Sequence, residues 1–490
     1  MSVQPADVQK AADVQNPGVP DPELVTAADF GPILAERLAG PEARLLYLTR
    51  VPDLPAAPRD ADGAGFVLAF YDGPEGTAAL GAPARSPSRP SMTGVAAALV
   101  EEWRLERDGL VWSEAAPEPA VLGRGVFTFP LGPVHGDVTE SVRWRLEVMG
   151  DEVLALRLRF GYKSRRFEEQ LGLVGPVRGI ALAERVTGTS PAAHAMAFAS
   201  AWEAALHLEV PAAAVYWRAV VAELERLHSH LGDLASLANS TGLPAAAAEL
   251  FVLKEQVLRL CLRLSGHRYQ RGVIVVGGIR GDVAPISNLS PGLRDIRERF
   301  MRNIAQLDRS TSFLDRLHGA GRVPLDVAAA LRPVGPTGRA CGWDYDVRHD
   351  RPYGLYAETG APARALVDKG DSWGRYRVRV LEVLASVGWL LDRLSEGAPG
   401  GSVANAAQVQ LRTDRPPAAG IQMARVEAPR GELIYFVWSG RTGQQPWVRV
   451  RTASAVNWAV VAPAVGEGNV LQDVPIIDAS FSLSVAAFDR

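Results

Sequence analysis

The chain has 490 residues, a formal net charge of -3, 47% hydrophobic residues and 22% charged residues. That length exceeds one ordinary core and implies more than one domain, and the composition is that of a folded protein and not of a disordered one. A near-neutral charge gives no reason to expect nucleic acid as a partner, and two cysteines (Cys261 and Cys341) are too few for a disulfide framework or for an iron–sulfur centre held by this chain alone.

Residues 1–24 are polar and proline-spotted and read as a tail, without the basic start and apolar run of a signal peptide. Residues 25–120 read as a small α/β domain. ADFGPILAERLAG and MTGVAAALVEEWRLERDG have helical character, ARLLYLTRV and GFVLAFY have strand character, and PDLPAAPRDADG and GAPARSPSRPS read as surface loops. A larger domain, 126–490, begins at VFTFPLGPVHGD. In SVRWRLEVMGDEVLALRLRFG, alternation on both sides of Gly-Asp predicts a hairpin with one buried face. Arg157, Arg159, Lys163, Arg165 and Arg166 form a basic set beside it.

Helical patterns then dominate. Ser190 is placed to cap a helix opened by Pro191, and Val220, Leu224, Leu227, Leu231 and Leu234 share one face of a helix over 213–238. Further helices are expected over 246–264, 291–317 and 372–394. Residues 396–420 read as a long loop, before strand-like MARVEAPRGELIYFVWSG and WVRVRTAS. Gly277 and Gly278 suit a tight turn and not a phosphate cradle, since no glycine-rich strand-to-helix unit surrounds them. No run of about 18 apolar residues occurs, so the chain is not expected to span a bilayer, which leaves open docking onto a subunit that does. The residues alone give an α+β protein with a mainly helical core and short flanking sheets.

Several segments, in this order, carry a resemblance. They are GPVHGDVTE (132–140), FGYKSRRFEE (160–169), ERVTGTSPAAHA (184–195), ELERLHSHLGDL (223–234), SGHRYQRGVIVVGG (265–278), RACGWDYDVRHDRPY (339–353), EAPRGELIYFV (427–437) and DVPIIDASFSLSVAAFDR (473–490). Together they resemble the large subunits of energy-converting, membrane-bound nickel–iron hydrogenases, formate hydrogenlyase included, and the 49-kDa-type subunit of respiratory complex I. The resemblance implies a hydrogenase large-subunit-like fold over 126–490. By order and length it likens 25–120 to the 30-kDa-type complex I subunit.

In that family two cysteine pairs hold nickel and iron. Their positions fall here on Thr187 and Ser190, and on Ser484 and Ala487. Hydroxyls and a methyl do not replace soft thiolates, so the resemblance implies no metal on this chain. The complex I quinone ligands would fall on Thr139 and Gly188, of which only Thr139 offers a side-chain hydrogen bond. Glu168, His194 and His135 match family positions near the cleft and are the candidate catalytic residues. Glu168 reads as a proton relay or as a salt-bridge partner of Arg165 or Arg185, and His194 and His135 as catalytic or as satisfied core histidines. Arg339, Asp344, Asp346, Arg348, Asp350 and Tyr353 read as a buried salt-bridge lattice or as part of a proton path.

The function the resemblance implies is that of a non-nickel core subunit of a membrane-associated redox complex. Such a subunit passes electrons from a partner's 4Fe–4S cluster to a small acceptor, with proton or ion translocation as a coupled output. A quinone-reducing subunit with a rebuilt pocket and a purely structural subunit are the alternatives. The partners implied are a small iron–sulfur subunit, a ferredoxin-like cluster subunit and membrane subunits of complex I or antiporter type. The expected place is peripheral, on the cytoplasmic side of the membrane.

Overall fold

The computed structural model describes residues 23–24, 37, 44–51, 66–73, 76–83, 123–134, 140–281, 289–404, 420–438, 446–466 and 468–490. The expected tail, most of both N-terminal helices and most of the 396–420 loop lie outside those residues. Both expected N-terminal strands are present, as β2 (Arg44–Val51) and β3 (Phe66–Gly73). β4 (Gly76–Pro83) pairs antiparallel with β3 and runs into a stretch expected to be loop. A short β1 (Glu23–Leu24) lies parallel to β4, giving the order β1-β4-β3-β2.

The next sheet follows from sequence alternation. β5 (Val126–Leu131), β6 (Arg143–Met149) and β7 (Glu152–Arg159) form an antiparallel meander. Gly150, at φ 64, turns β6 into β7 in a conformation that costs glycine little. Trp144, Leu146 and Val148 are buried at every second position, as one covered face requires. That face packs on the C-terminal part of the chain, in a cluster with Trp458, Val461, Ile477, Phe481 and Val485. Trp144 and Trp458 meet edge to face with ring centroids 6.1 Å apart. The start and the end of the domain are thereby fastened together.

The main core is helical. α1 (Phe167–Ala183) is kinked at Gly175, whose φ of 70 and ψ of 180 precede Pro176. α2 (Pro191–Leu206) starts after Ser190, and α3 (Ala212–Ser240) and α4 (Pro244–Ser265) form a helical hairpin closed by Thr241–Leu243. α5 (Leu289–Leu307) ends where a single helix to 317 was expected. Ser310 accepts a 3.4 Å hydrogen bond from the Phe313 amide and starts a separate turn, Thr311–Leu317. α6 (Ser372–Glu396) is capped by Asp371, whose Oδ1 accepts from the Gly374 amide at 2.8 Å.

A second antiparallel sheet, β10 (Ile421–Ala428), β11 (Gly431–Trp438) and β12 (Trp447–Arg451), packs beside α2. Every residue of the central strand β11 is buried, which fits its near-continuous apolar run. Its first residue, Gly431, faces Gly335, and a side chain on Gly335 would run into the Arg430 carbonyl. A small hairpin, β8 (Ile274–Val275) with β9 (Gly278–Ile279), uses Gly277 and Gly278 for the expected tight turn. The chain closes with α7 (Val474–Phe481) and α8 (Val485–Asp489). Among the described residues no helix is long and apolar enough to cross a membrane.

Candidate functional site

The site forms where the loop after α1 meets the turn between α7 and α8. Ser482, at φ 53, ends α7, and Ser484 caps α8 by accepting from the Ala487 amide at 3.2 Å. Thr187 Oγ1 donates to Ser484 Oγ at 3.3 Å, joining residues 297 positions apart. Ser484 Oγ in turn donates to Glu140 Oε2 at 3.3 Å, and that oxygen also accepts from the Ala486 amide. Thr187, Ser190, Ser484 and Ala487 are all buried. Nothing stands within 4 Å of the point where a Cβ on Gly188 would lie, so the backbone there borders open space.

Glu168, in the first turn of α1, does not pair with Arg165 or Arg185. Its Oε1 accepts from the Val450 amide at 2.8 Å and lies 3.5 Å from Arg490 Nε, while Oε2 lies 3.8 Å from Arg449 Nε. Arg165 instead donates to the carbonyls of Arg185 and Val186. Arg185, just past the end of α1, donates to the carbonyl of Ala181 in the last turn of that helix. His194 lies inside α2, with Nδ1 2.8 Å from the Tyr435 hydroxyl. Burial and the nearby Arg490 charge push its imidazole down to about 3, so it is neutral at pH 7. The same burial, with Glu168 close by, holds the Tyr435 phenol well above its ordinary value. Arg490 Nη1 is buried and, among the described residues, has no hydrogen-bond partner. His135 and Thr139 lie outside the described residues.

A family model described as the 49 kDa subunit of the respiratory-chain NADH dehydrogenase matches residues 241–490. The chain belongs to the family of complex I 49-kDa subunits and nickel–iron hydrogenase large subunits. The carbon monoxide-induced hydrogenase of Rhodospirillum rubrum is 27% identical over 373 residues, covering 74% of this chain and 99% of that protein. The membrane-bound hydrogenase subunit alpha of Pyrococcus furiosus is 28% identical over 380 residues, covering 74% and 87%. A chain of an archaeal respiratory membrane complex, the membrane-bound sulfane sulfur reductase, superposes with a TM-score of 0.68 at 26% identity, over 75% of this chain and 100% of that one.

Family membership raises the question of whether the residues present suit the groups those relatives' names imply. Nickel does not fit them. Two of the four positions are hydroxyls bonded to each other, one is a methyl, and soft metal–thiolate bonding has no counterpart in such a set. Among the described residues no three His, Cys, Asp or Glu side chains converge as a metal site. For a quinone, Gly188 offers space and no donor, and the His194 nitrogen is already engaged with Tyr435.

Behind this cleft lies a lattice of buried charge. Arg339 binds Glu382 Oε1 at 2.6 Å and Glu427 Oε1 at 3.0 Å, and stands 3.4 Å from Asp346 Oδ2. Arg348 grips Asp346 with two nitrogens and reaches Glu223 Oε1 at 2.9 Å. Glu223 also accepts from Tyr356 at 2.7 Å and Ser386 at 2.6 Å, and Arg226 lies between Glu223 and Glu382. From Glu382 the lattice continues through His230 Nε2, 2.7 Å away, towards Asp233, which binds Arg430 at 3.0 Å.

Burial alone would raise the Glu382 pKa, but Arg339 and the His230 hydrogen bond outweigh it and hold it well below the usual range. Glu427 goes the other way: burial and the neighbouring Asp346 charge raise it to about 7. Of the strip expected from sequence, Arg339, Asp346 and Arg348 join this lattice, and Tyr353 accepts from the Glu427 amide at 3.0 Å. Asp344 and Asp350 instead hold Arg364 at the periphery. Sequence reasoning missed Glu140, Tyr435 and Arg490. Two of them end quoted motifs, Glu140 closing GPVHGDVTE and Arg490 closing the chain.

Proposed function

We propose that the chain is a non-nickel core subunit of a multisubunit, membrane-associated respiratory complex. It takes electrons from a partner subunit's 4Fe–4S cluster and delivers them to a small acceptor in the cleft at Glu168, Gly188 and His194. The observation that carries this reading is the hydroxyl pair Thr187–Ser484 at the family's metal-binding positions, together with open space at Gly188 and a charged rim. The relatives named above are parts of hydrogenases and of a respiratory membrane complex, which supports a peripheral place on a membrane assembly.

The chain's own groups have distinct tasks in this reading. Arg490 Nη1, buried near His194 without a partner among the described residues, is a hydrogen-bond donor for an acceptor's oxygen and favours negative charge developing there. Glu168, held by the Val450 amide and bordered by two arginines, is the candidate site of proton exchange. Neutral His194 orients through Tyr435 and carries no proton of its own across the cleft near pH 7. A quinone is the second reading of the acceptor, favoured by the open space at Gly188.

The test is purification of the native assembly in mild detergent, with metal analysis and cryo-EM of the intact particle. The proposal predicts iron from the partner cluster, no stoichiometric nickel, and that cluster facing the Gly188 cleft. Density in the cleft would identify the acceptor. Stoichiometric nickel, or a cleft filled by side chains and turned away from the cluster, overturns it and leaves either a metal subunit or a scaffold.

A further inference from the structure

Three buried polar atoms converge at the junction of α3 and α6 with the segment leading to Ser484. His230 Nδ1 and Asp233 Oδ2 are 4.0 Å apart, too far for a direct hydrogen bond. Arg379 Nε lies 3.4 Å from the same Asp233 oxygen. Among the described residues none of the three atoms makes a hydrogen bond of good geometry, and the Arg379–Asp233 contact is a stretched ion pair. All three side chains are at least nine-tenths buried, at 0%, 10% and 3% exposure. Leaving three such groups unsatisfied would cost about 1–3 kcal/mol each, and buried polar groups in proteins are almost always paired, with water where protein is out of reach.

The other bonds of these side chains are already assigned. His230 Nε2 is 2.7 Å from Glu382 Oε2, and Arg339 keeps that carboxylate ionised, so Nε2 carries the hydrogen and donates it. Nδ1 accepts a hydrogen bond in the neutral ring and donates one in the imidazolium, and in either state it needs a partner. Asp233 Oδ1 is taken by Arg430 at 3.0 Å, leaving Oδ2 as a second acceptor. Arg379 Nη1 and Nη2 donate to the carbonyls of Ser480 and Phe481 at 2.8 and 3.0 Å, leaving its Nε–H as a donor. His230 Nδ1 and Arg379 Nε thus both lie within 4.0 Å of Asp233 Oδ2.

We infer that a buried water molecule is bound between His230, Asp233 and Arg379. It bonds to His230 Nδ1, donates a hydrogen to Asp233 Oδ2 and accepts the Arg379 Nε hydrogen. That makes three bonds, the usual number for an internal water. The site turns two separate halves of the charge lattice into one hydrogen-bonded chain. Glu382, His230, the water and Asp233 are linked in series, and Arg430 and Arg379 continue from Asp233 to the carbonyls of residues 480–482. The water thereby ties the lattice to the backbone that presents Ser484 to the cleft. This assignment does not depend on which acceptor the cleft takes, or on whether it takes one.

The test is a cryo-EM map of the native complex at a resolution where other buried waters are visible. The expected result is a single peak at roughly 2.7–3.2 Å from all three atoms. No peak there while other internal waters are seen, or side chains closed directly onto one another with Asp233 accepting from both His230 and Arg379, overturns the inference. In a second map, of the His230→Phe variant, the peak should be lost. A retained peak at full height would show that His230 does not hold it, and would equally overturn the assignment.

Discussion

In the lattice each buried acid faces at least one buried arginine, and Glu382, Glu427 and Asp346 share Arg339 among them. In the cleft, two neutral hydroxyls face each other at 3.3 Å beside open space. The two regions are equally buried and differ in what burial means for them. A charge removed from water is tolerable only while its partners remain, so the lattice is rigid and intolerant of single changes. The cleft hydroxyls are neutral, so loss of one of their several partners strands no charge, and the cleft is freer to change what it binds.

The largest expected effect tests the first half of that contrast. Arg339→Leu leaves three buried acids short of a counter-charge and should cost about 3–5 kcal/mol, read as a lowered denaturation midpoint or as failure to accumulate. A loss under 1 kcal/mol would mean that the lattice is not mutually dependent.

The next effect is one of pH. Among the described residues Asp478 pairs with no charged group, and burial pushes its pKa from 3.8 to about 7. Its contribution to stability is therefore fully present below the unfolded value and is lost as pH rises through about 7. Asp478→Asn should flatten the fall in thermal midpoint between pH 5 and pH 8 and stabilise the protein at the upper end. An unchanged pH profile would count against it.

Smaller again is Tyr435→Phe, which strips His194 Nδ1 of its partner and should cost about 1–3 kcal/mol by denaturant titration. The smallest effect is expected at Gly188→Ala. The space there is open, so stability should stay within about 0.5 kcal/mol while binding of any cleft acceptor weakens. A destabilised Gly188→Ala protein would show that the cleft is as tightly packed as the lattice, and the contrast would fail.

Local features were legible in the sequence where one residue type decides them. The β6–β7 hairpin followed from alternation around Gly150 and the start of α2 from Pro191, but the Ser190 side chain makes no capping bond, and Glu225 takes the Ala192 and Ala193 amides instead. The break in the expected 291–317 helix had its signal in Ser310, which was outweighed by helical periodicity on both sides. Partnerships across the fold were not legible. Glu168 has arginines three positions before it and seventeen after it, yet its partners come from Arg449, Val450 and Arg490. The leucine stripe of α3 pointed to one buried face, whereas Glu223, Arg226, His230 and Asp233 are buried on the others. Nothing in a helical period distinguishes a charge facing solvent from one facing two buried arginines, as Glu223 and Asp233 do.

The shared arginine has a consequence for how such a sequence drifts. Glu223 and His230 come from one helix, Glu382 from another, and Asp346 and Glu427 from two further segments, all reached through Arg339, Arg226 and Arg348. A lineage that loses one member inherits an uncompensated charge, so its next surviving change should fall on a partner far away in the chain. Among descendants, these positions should vary as correlated sets or not at all, while Thr187, Gly188 and Ser484 vary independently.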